Sequence, residues 1–84
     1  NAKYWDKGTF KNSRASLKYH YAKHGNGLTP TQYTQSALDF SAFNSSSFRY
    51  TYNYNYNNAS WYFNNMYGVG GYFTSSGKII TFWF

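Results

Sequence analysis

The stretch FRYTYNYNY, residues 48–56, determines how the second half of this 84-residue chain is interpreted. Its aromatic side chains occupy every second position with polar side chains between them, which is typical of a strand with one buried face. Low-complexity tracts of this kind also stack into cross-β aggregates. This one is short and lies among consistent helix, turn and strand signals, so a folded strand is the favoured interpretation.

Three more strands are predicted downstream of this stretch. The predicted strands are residues 48–56, 60–66, 72–74 and 78–84. The asparagine pair at 57–58 predicts the first turn, and Gly68, Gly70 and Gly71 interrupt the chain before the third strand. The sequence SSG at 75–77 predicts a hairpin turn before the last strand. The pattern therefore predicts a four-stranded antiparallel meander.

Two helices are predicted upstream of the strands. The first runs over residues 13–24, with Ser13 or Asn12 as its cap, and ends at Gly25 because glycine tolerates the left-handed turn beyond a helix. The second begins in the sequence TPTQ at 29–32, which offers a capping box, and ends near Ala42. With residues 1–12 as an irregular lead-in, the chain is expected to form one α+β domain over residues 1–84, its helices packed on the sheet.

The charge balance favours an anionic partner. Eight Lys and Arg residues face two carboxylates, which gives a net charge of +6. Such a surplus favours nucleic acid, anionic lipid or an acidic protein. Six of the eight cations lie within the first 23 residues: Lys3, Lys7, Lys11, Arg14, Lys18 and Lys23.

The scarcity of acids and the lack of cysteine exclude several chemistries. Asp6 and Asp39 are the only carboxylates, whereas two-metal nucleases need several and glycosidases generally need a dedicated pair. Without cysteine, neither a disulfide nor a thiolate metal site can form. A mechanism without metal or other cofactor, based on His, Lys, Arg and hydroxyl groups, is therefore expected.

His20 and His24 are the candidate chemical centre. Four residues apart on a helix, they project from the same side. Three interpretations compete: a zinc pair, a structural pair packed against the helix, or acid–base catalysis. Zinc is disfavoured because the chain has no Glu, no third His and no Asp nearby in sequence. Imidazole titrates near neutral pH, so it can both accept and donate a proton.

RNA cleavage is a reaction that these residue types can perform. The 2′-hydroxyl loses a proton and attacks the adjacent phosphorus, the leaving 5′-oxygen gains a proton, and cations or hydroxyls stabilise the phosphoryl oxygens. The two histidines, the lysine between them (Lys23), Arg49 and the hydroxyl of Thr81 would suffice.

The segment SLKYHYAKHG at 16–25 resembles the opening motif of toxin domains at the C-termini of bacterial polymorphic and contact-dependent inhibition toxins. The segment TQYTQSALDF at 31–40 is similar to their second helix, and GKIITF at 77–82 to their closing strand. These domains are similar to the barnase–EndoU–colicin–RelE group of metal-independent ribonucleases. The resemblance implies N-terminal helices on a four-stranded antiparallel sheet.

The resemblance also implies roles for individual residues. His20 or His24 would act as general base or acid, and Thr81 would donate a hydrogen bond to the scissile phosphate. Candidate phosphate contacts are Lys23, Arg49 and Lys78. The chain departs from the group at Trp83, where some relatives have a tyrosine two residues after the threonine.

The expected function is thus a metal-independent endoribonuclease toxin that cleaves RNA, with tRNA as one candidate, in competing bacteria. The expected partner besides RNA is an acidic immunity protein, because complementary charge accelerates association. A membrane-active cationic toxin and a non-catalytic RNA- or carbohydrate-binding module are the alternatives.

The chain begins at Asn1, and we expect neither a signal peptide nor a membrane span in it, since no basic leader precedes an apolar run and no apolar run is long enough to span a bilayer. Stable membrane insertion is therefore not expected. A processed C-terminal piece of a larger exported protein, acting in the target-cell cytoplasm, is expected instead.

Overall fold

The computed structural model describes the backbone of residues 1–42, 48–54, 57–64 and 68–84, and the side chains of residues 1–42 and 68–84. Its elements are a 3-10 helix Ala2–Tyr4, helices α1 Ser13–His24 and α2 Pro30–Ala42, and strands β1 Phe48–Tyr54, β2 Asn57–Asn64, β3 Val69–Thr74 and β4 Ile79–Trp83. Neighbouring strands pair antiparallel in the order β1-β2-β3-β4. The α+β class, the two helices and antiparallel pairing of the strands are confirmed.

Helix α1 has the predicted bounds, but its C-terminal geometry differs from the prediction. The Asn12 side chain accepts a hydrogen bond from the Ala15 amide at 2.8 Å, so Asn12 is the cap. Gly25 has right-handed backbone angles, and the left-handed conformation falls on Asn26 and Gly27 instead. A glycine is needed at position 25 because of close packing and not because of its backbone angles. A Cβ there would lie 2.6 Å from the Tyr21 carbonyl oxygen.

Helix α2 begins with the predicted capping box. Thr29 Oγ1 accepts from the Gln32 amide at 3.1 Å, and Gln32 Oε1 accepts from the Thr29 amide at 2.9 Å. The helix buries Tyr33 and Ala37 completely. The Tyr33 hydroxyl also donates to the Phe82 carbonyl, which ties α2 to the last strand.

Two predicted strand boundaries are wrong. Asn57 and Asn58 pair with Tyr54 and Asn53, so both belong to β2 rather than to a turn. Gly70 and Gly71 lie within β3. A Cβ on Gly71 would lie 2.6 Å from the Thr81 carbonyl oxygen, so close packing against β4 keeps this glycine inside the strand.

The predicted hairpin turn between β3 and β4 is confirmed. The Gly77 amide donates to the Thr74 carbonyl, and Gly77 has a φ of 93°. Other predictions concern residues outside the part of the chain that is described: the end of the first strand at Asn55 and Tyr56, the end of the second at Met66, and the loop after α2 at residues 43–47.

The first residues of the chain contribute to the core, which composition and periodicity did not reveal. Trp5 is fully buried and forms a parallel bridge with Ile79 of β4. Its indole N–H donates to Thr34 Oγ1 on α2 at 3.0 Å. The core cluster is Trp5, Leu17, Tyr33, Ala37, Phe73, Ile79 and Phe82. Trp5 thus joins the N-terminal segment to α2 and β4, and it belongs to the same core cluster as Leu17 of α1.

Candidate active site

His20 and Thr81 meet across the interface between α1 and β4. The Thr81 Oγ1 atom lies 3.1 Å from His20 Nδ1, although the two residues are 61 positions apart in sequence. His20 is on the second turn of α1 and Thr81 is in the middle of β4. The two predicted residues therefore form one hydrogen-bonded pair.

Aromatic rings surround the imidazole of His20. The Trp5 ring stacks on it at a centroid distance of 5.9 Å and an interplanar angle of 13°. Phe10 and Tyr19 present their rings in edge-to-face contacts at 5.5 and 5.2 Å. These apolar neighbours exclude water from much of the ring.

The surroundings of His20 favour its neutral form. Burial lowers the pKa of His20 to about 4, and positive charge on His24 and Lys23 contributes in the same direction. A group with this pKa is uncharged at neutral pH. It can therefore accept a proton.

His24 lies one turn further along α1, and its ring is stacked against that of His20 at 6.5 Å and 10°. Burial, and then the charge of Lys23, lowers the pKa of His24 below its usual value. The imidazoles thus form a parallel pair in which His20 is the inner member, next to Thr81.

A pocket of about 380 Å³ opens beside the His20–Thr81 pair. This volume is within the range of small-molecule and substrate sites. Its walls come from the loop before α1, from α1 itself and from strands β3 and β4. The lining residues are Gly8, Thr9, Phe10, Tyr19, His20, Tyr72, Ile80 and Thr81. His24 is adjacent to the pocket but does not line it.

Tyr72 is a pocket residue that the sequence interpretation missed. It is the cross-strand partner of Thr81 in the β3–β4 pair, so the two side chains stand on the same face of the sheet. The ring of Trp83 contacts Tyr72 edge-on, with 6.1 Å between the ring centroids. Trp83 is the position at which some members of the toxin group have a tyrosine. A tyrosine hydroxyl is thus present on the neighbouring strand. Only the strand register reveals it.

The candidate phosphate contacts lie in different places. Lys23 is exposed near the histidines, with its Nζ atom 5.9 Å from the centroid of the Tyr19 ring. Lys78 lies in a second pocket, of about 480 Å³, rather than beside His20. The side chain of Arg49 is outside the described part of the chain.

The described residues lack two features, a cluster of metal ligands and a membrane-spanning helix. They contain no group of three or more His, Asp or Glu side chains that could hold a metal ion. Among the same residues, no helix has the length and apolar character needed to cross a bilayer.

Known proteins that are similar to this chain include a nuclease. No protein-family model matches the chain. The chain is 34% identical over 85 residues to the tRNA(Glu)-specific nuclease WapA of Bacillus subtilis subsp. natto (strain BEST195). It is similar to part of a tRNA nuclease. The match includes 96% of this chain but spans only 4% of the length of WapA. This similarity supports the predicted nuclease relationship at a coarse level.

Proposed function

We propose that this chain is the ribonuclease domain of a larger exported bacterial toxin and that it cleaves RNA, with tRNA as the leading candidate substrate, without a metal ion. The observation that carries the proposal is the His20–Thr81 hydrogen bond at the wall of a pocket. The similarity to a nuclease whose name specifies tRNA supports the choice of substrate.

In the proposed reaction, His20 is the general base. In the tautomer that the reaction requires, the ring proton is on Nδ1 and is donated to Thr81 Oγ1, so the lone pair of Nε2 is free to take the proton of the RNA 2′-hydroxyl. Because the pKa of His20 is about 4, that lone pair is available at neutral pH.

The 2′-oxygen then forms a bond to the adjacent phosphorus, and the bond from phosphorus to the 5′-oxygen breaks. The products carry a 2′,3′-cyclic phosphate and a 5′-hydroxyl, whose oxygen has gained a proton. The protonated form of His24, which lies next to His20, is the candidate donor of that proton, and because the pKa of His24 is lowered the fraction able to donate decreases as pH rises. The Thr81 hydroxyl hydrogen and the Lys23 ammonium are proposed to stabilise charge on the phosphoryl oxygens. Arg49 and Lys78 remain proposed phosphate contacts.

The aromatic walls of the pocket suit an unpaired nucleobase. Phe10, Tyr19 and Tyr72 line the space beside His20, and proteins commonly bind single-stranded RNA by stacking bases on such rings. The same lining favours the second candidate function, a non-catalytic RNA-binding module. That candidate predicts saturable binding without turnover.

The biological setting belongs to the same proposal. We propose the four-stranded helix-on-sheet arrangement of the barnase–EndoU–colicin–RelE group, delivery by secretion or cell contact, and action in the cytoplasm of a competing bacterium. An acidic immunity protein would protect the producing cell, because the net charge of +6 favours a partner of opposite sign.

A denaturing gel of total tRNA incubated with the protein separates these functions. The nuclease proposal expects shorter RNA fragments, whereas the binding module expects intact tRNA. Dye release from anionic vesicles, without RNA fragments, would instead support the membrane-active alternative and contradict the nuclease.

A further inference from the structure

A second pocket, here called the lysine pocket, lies beside the loop that precedes α1. Its volume is about 480 Å³. It is lined by Trp5, Asp6, Lys7, Lys11, Asn12, Ser13 and Lys78. The three lysines come from three separate parts of the chain: the segment after Trp5, the residue before the α1 cap, and the β3–β4 turn.

The backbone fixes how these segments meet. Trp5 forms a parallel bridge with Ile79, and the Asp6 amide donates to the Ile79 carbonyl at 2.8 Å. Lys7 and Lys78 each directly adjoin this junction in sequence. The lysine pocket is therefore built on a fixed backbone contact between the N-terminal segment and β4.

The charge of the lysine pocket is strongly positive. Lys7, Lys11 and Lys78 are exposed at a site whose single carboxylate is Asp6. One oxygen of Asp6 already accepts a hydrogen bond from the Gly8 amide at 2.9 Å. The pocket thus has the charge and volume to bind an anionic group.

Part of the N-terminus of α1, which adjoins the lysine pocket, is already hydrogen-bonded within the protein. The Asn12 side chain accepts from the Ala15 amide, and the Asn12 carbonyl accepts from the Ser16 amide. Two of the amides at this helix end are therefore already bonded within the protein. The lysines that line the pocket, Lys11 and Lys78 among them, are the source of its positive charge.

The lysine pocket and the pocket of His20 share a wall. Gly8, Thr9 and Phe10 line the pocket of His20, whereas residues on either side of them, Lys7 and Lys11, line the lysine pocket. Trp5 also links the two, because it lines the lysine pocket and stacks on His20. An RNA strand that crosses the loop at residues 6–11 would pass both pockets.

We propose that the lysine pocket binds a backbone phosphate of the RNA at a position away from the bond that is cut. This inference rests on the proposed ribonuclease function and adds a phosphate subsite to it. Lys78, predicted as a phosphate contact, then acts in this subsite together with Lys7 and Lys11.

The test compares two double variants that lose the same charge. Lys11→Ala/Lys78→Ala removes two lysines of the pocket, and Lys3→Ala/Lys18→Ala removes two exposed lysines that line neither pocket. The probe is a 2′-O-methyl uridine oligomer, which lacks the attacking hydroxyl, so binding is measured without cleavage. Its dissociation constant is measured at salt concentrations between about 50 and 200 mM. Thermal unfolding of each variant verifies that it is folded.

Each lost phosphate contact should reduce the slope of log affinity against log salt by about 0.7 for a single strand. We expect such a reduction for Lys11→Ala/Lys78→Ala, a slope close to wild type for Lys3→Ala/Lys18→Ala, and retention of the slope in Lys11→Arg/Lys78→Arg. Equal slopes in the two alanine double variants would overturn the subsite.

Two further measurements distinguish a failure of the phosphate subsite from a failure of the ribonuclease proposal. Inorganic phosphate should shift the amide resonances of Asn12 and Lys78 in the wild type but not in Lys11→Ala/Lys78→Ala, and phosphate shifts combined with equal slopes would overturn the assignment to RNA. A slope difference with no cleavage of total tRNA would retain the subsite and refute the nuclease. Cleavage of total tRNA with equal slopes would refute the subsite and retain the nuclease.

Discussion

At the residue scale, the chemistry depends on the surroundings of one imidazole. His20 is held by Thr81 on one side, by the Trp5 ring on another and by His24 along the helix. The same neighbours that position the ring also lower its pKa, because they exclude water and add positive charge nearby. Position and protonation state therefore have a common structural cause.

This pKa predicts the pH dependence of activity and stability. Because the base must be neutral, kcat/KM should fall on the acid side with a midpoint near pH 4 rather than near 6.5. Between about pH 6.5 and 4 the unfolded chain binds a proton at His20 that the folded chain does not. The free energy of unfolding should therefore decrease as pH falls through this window. Rate profiles and urea unfolding at several pH values measure both effects, and an acid limb centred near 6.5 would contradict the assignment.

The hydroxyl of Thr81 can be tested by a nearly isosteric change. Thr81→Val removes the oxygen that contacts His20 Nδ1, so kcat should fall on the order of 100-fold. Thr81→Ser keeps the oxygen and should retain most of the activity. Single-turnover cleavage of tRNA gives both rates. Equal activity of the valine and serine variants would contradict a role for the Thr81 hydroxyl in the reaction.

At the element scale, capping groups allowed the helices to be predicted from sequence, whereas the strand boundaries could not be fully predicted. Asn12 and the TPTQ segment act within a few residues, so their effect can be inferred locally. The placement of Gly70 and Gly71 within β3 depends on β4, which approaches too closely for a side chain at Gly71. Local patterns contain no information about that approach.

The capping box of α2 should contribute to the free energy of unfolding. Thr29→Ala removes the acceptor of the Gln32 amide and should lower the free energy of unfolding by about 1 kcal/mol. Thr29→Ser keeps a hydroxyl and should recover most of that loss. Urea unfolding of the two variants and the wild type measures the difference. Indistinguishable stabilities for Thr29→Ala and wild type would contradict the capping role.

At the scale of the whole molecule, the N-terminal segment completes both the core and the site. The resemblance to known toxin domains placed His20 and Thr81 in one centre, but its first motif begins at residue 16 and so omitted Trp5 and Phe10. Tyr72 was missed for a different reason, since its position depends on the register of β3 against β4. Contacts between distant segments determine all three.

Replacing Trp5 should therefore affect the entire domain. Trp5→Ala removes a fully buried side chain and its hydrogen bond to Thr34, which should cost about 3–5 kcal/mol. Small domains have only about 5–15 kcal/mol of total stability, so a large part of it would be lost. Tyr4→Ala, at an exposed neighbouring position, should change stability little. Thermal unfolding of the two variants compares them, and similar melting temperatures would contradict a core role for Trp5.

The central claim is that His20 acts as the base of a metal-independent RNA cleavage. The most direct measurement is the analysis of RNA ends after total tRNA is incubated with the protein in excess EDTA. We predict 2′,3′-cyclic phosphate and 5′-hydroxyl ends from the wild type, and a rate lower by about 100-fold or more for a folded His20→Ala variant. Lys18→Ala, on the same helix but outside the pocket, should cleave like the wild type. Intact tRNA in EDTA, or equal cleavage by the His20→Ala variant, would contradict the claim.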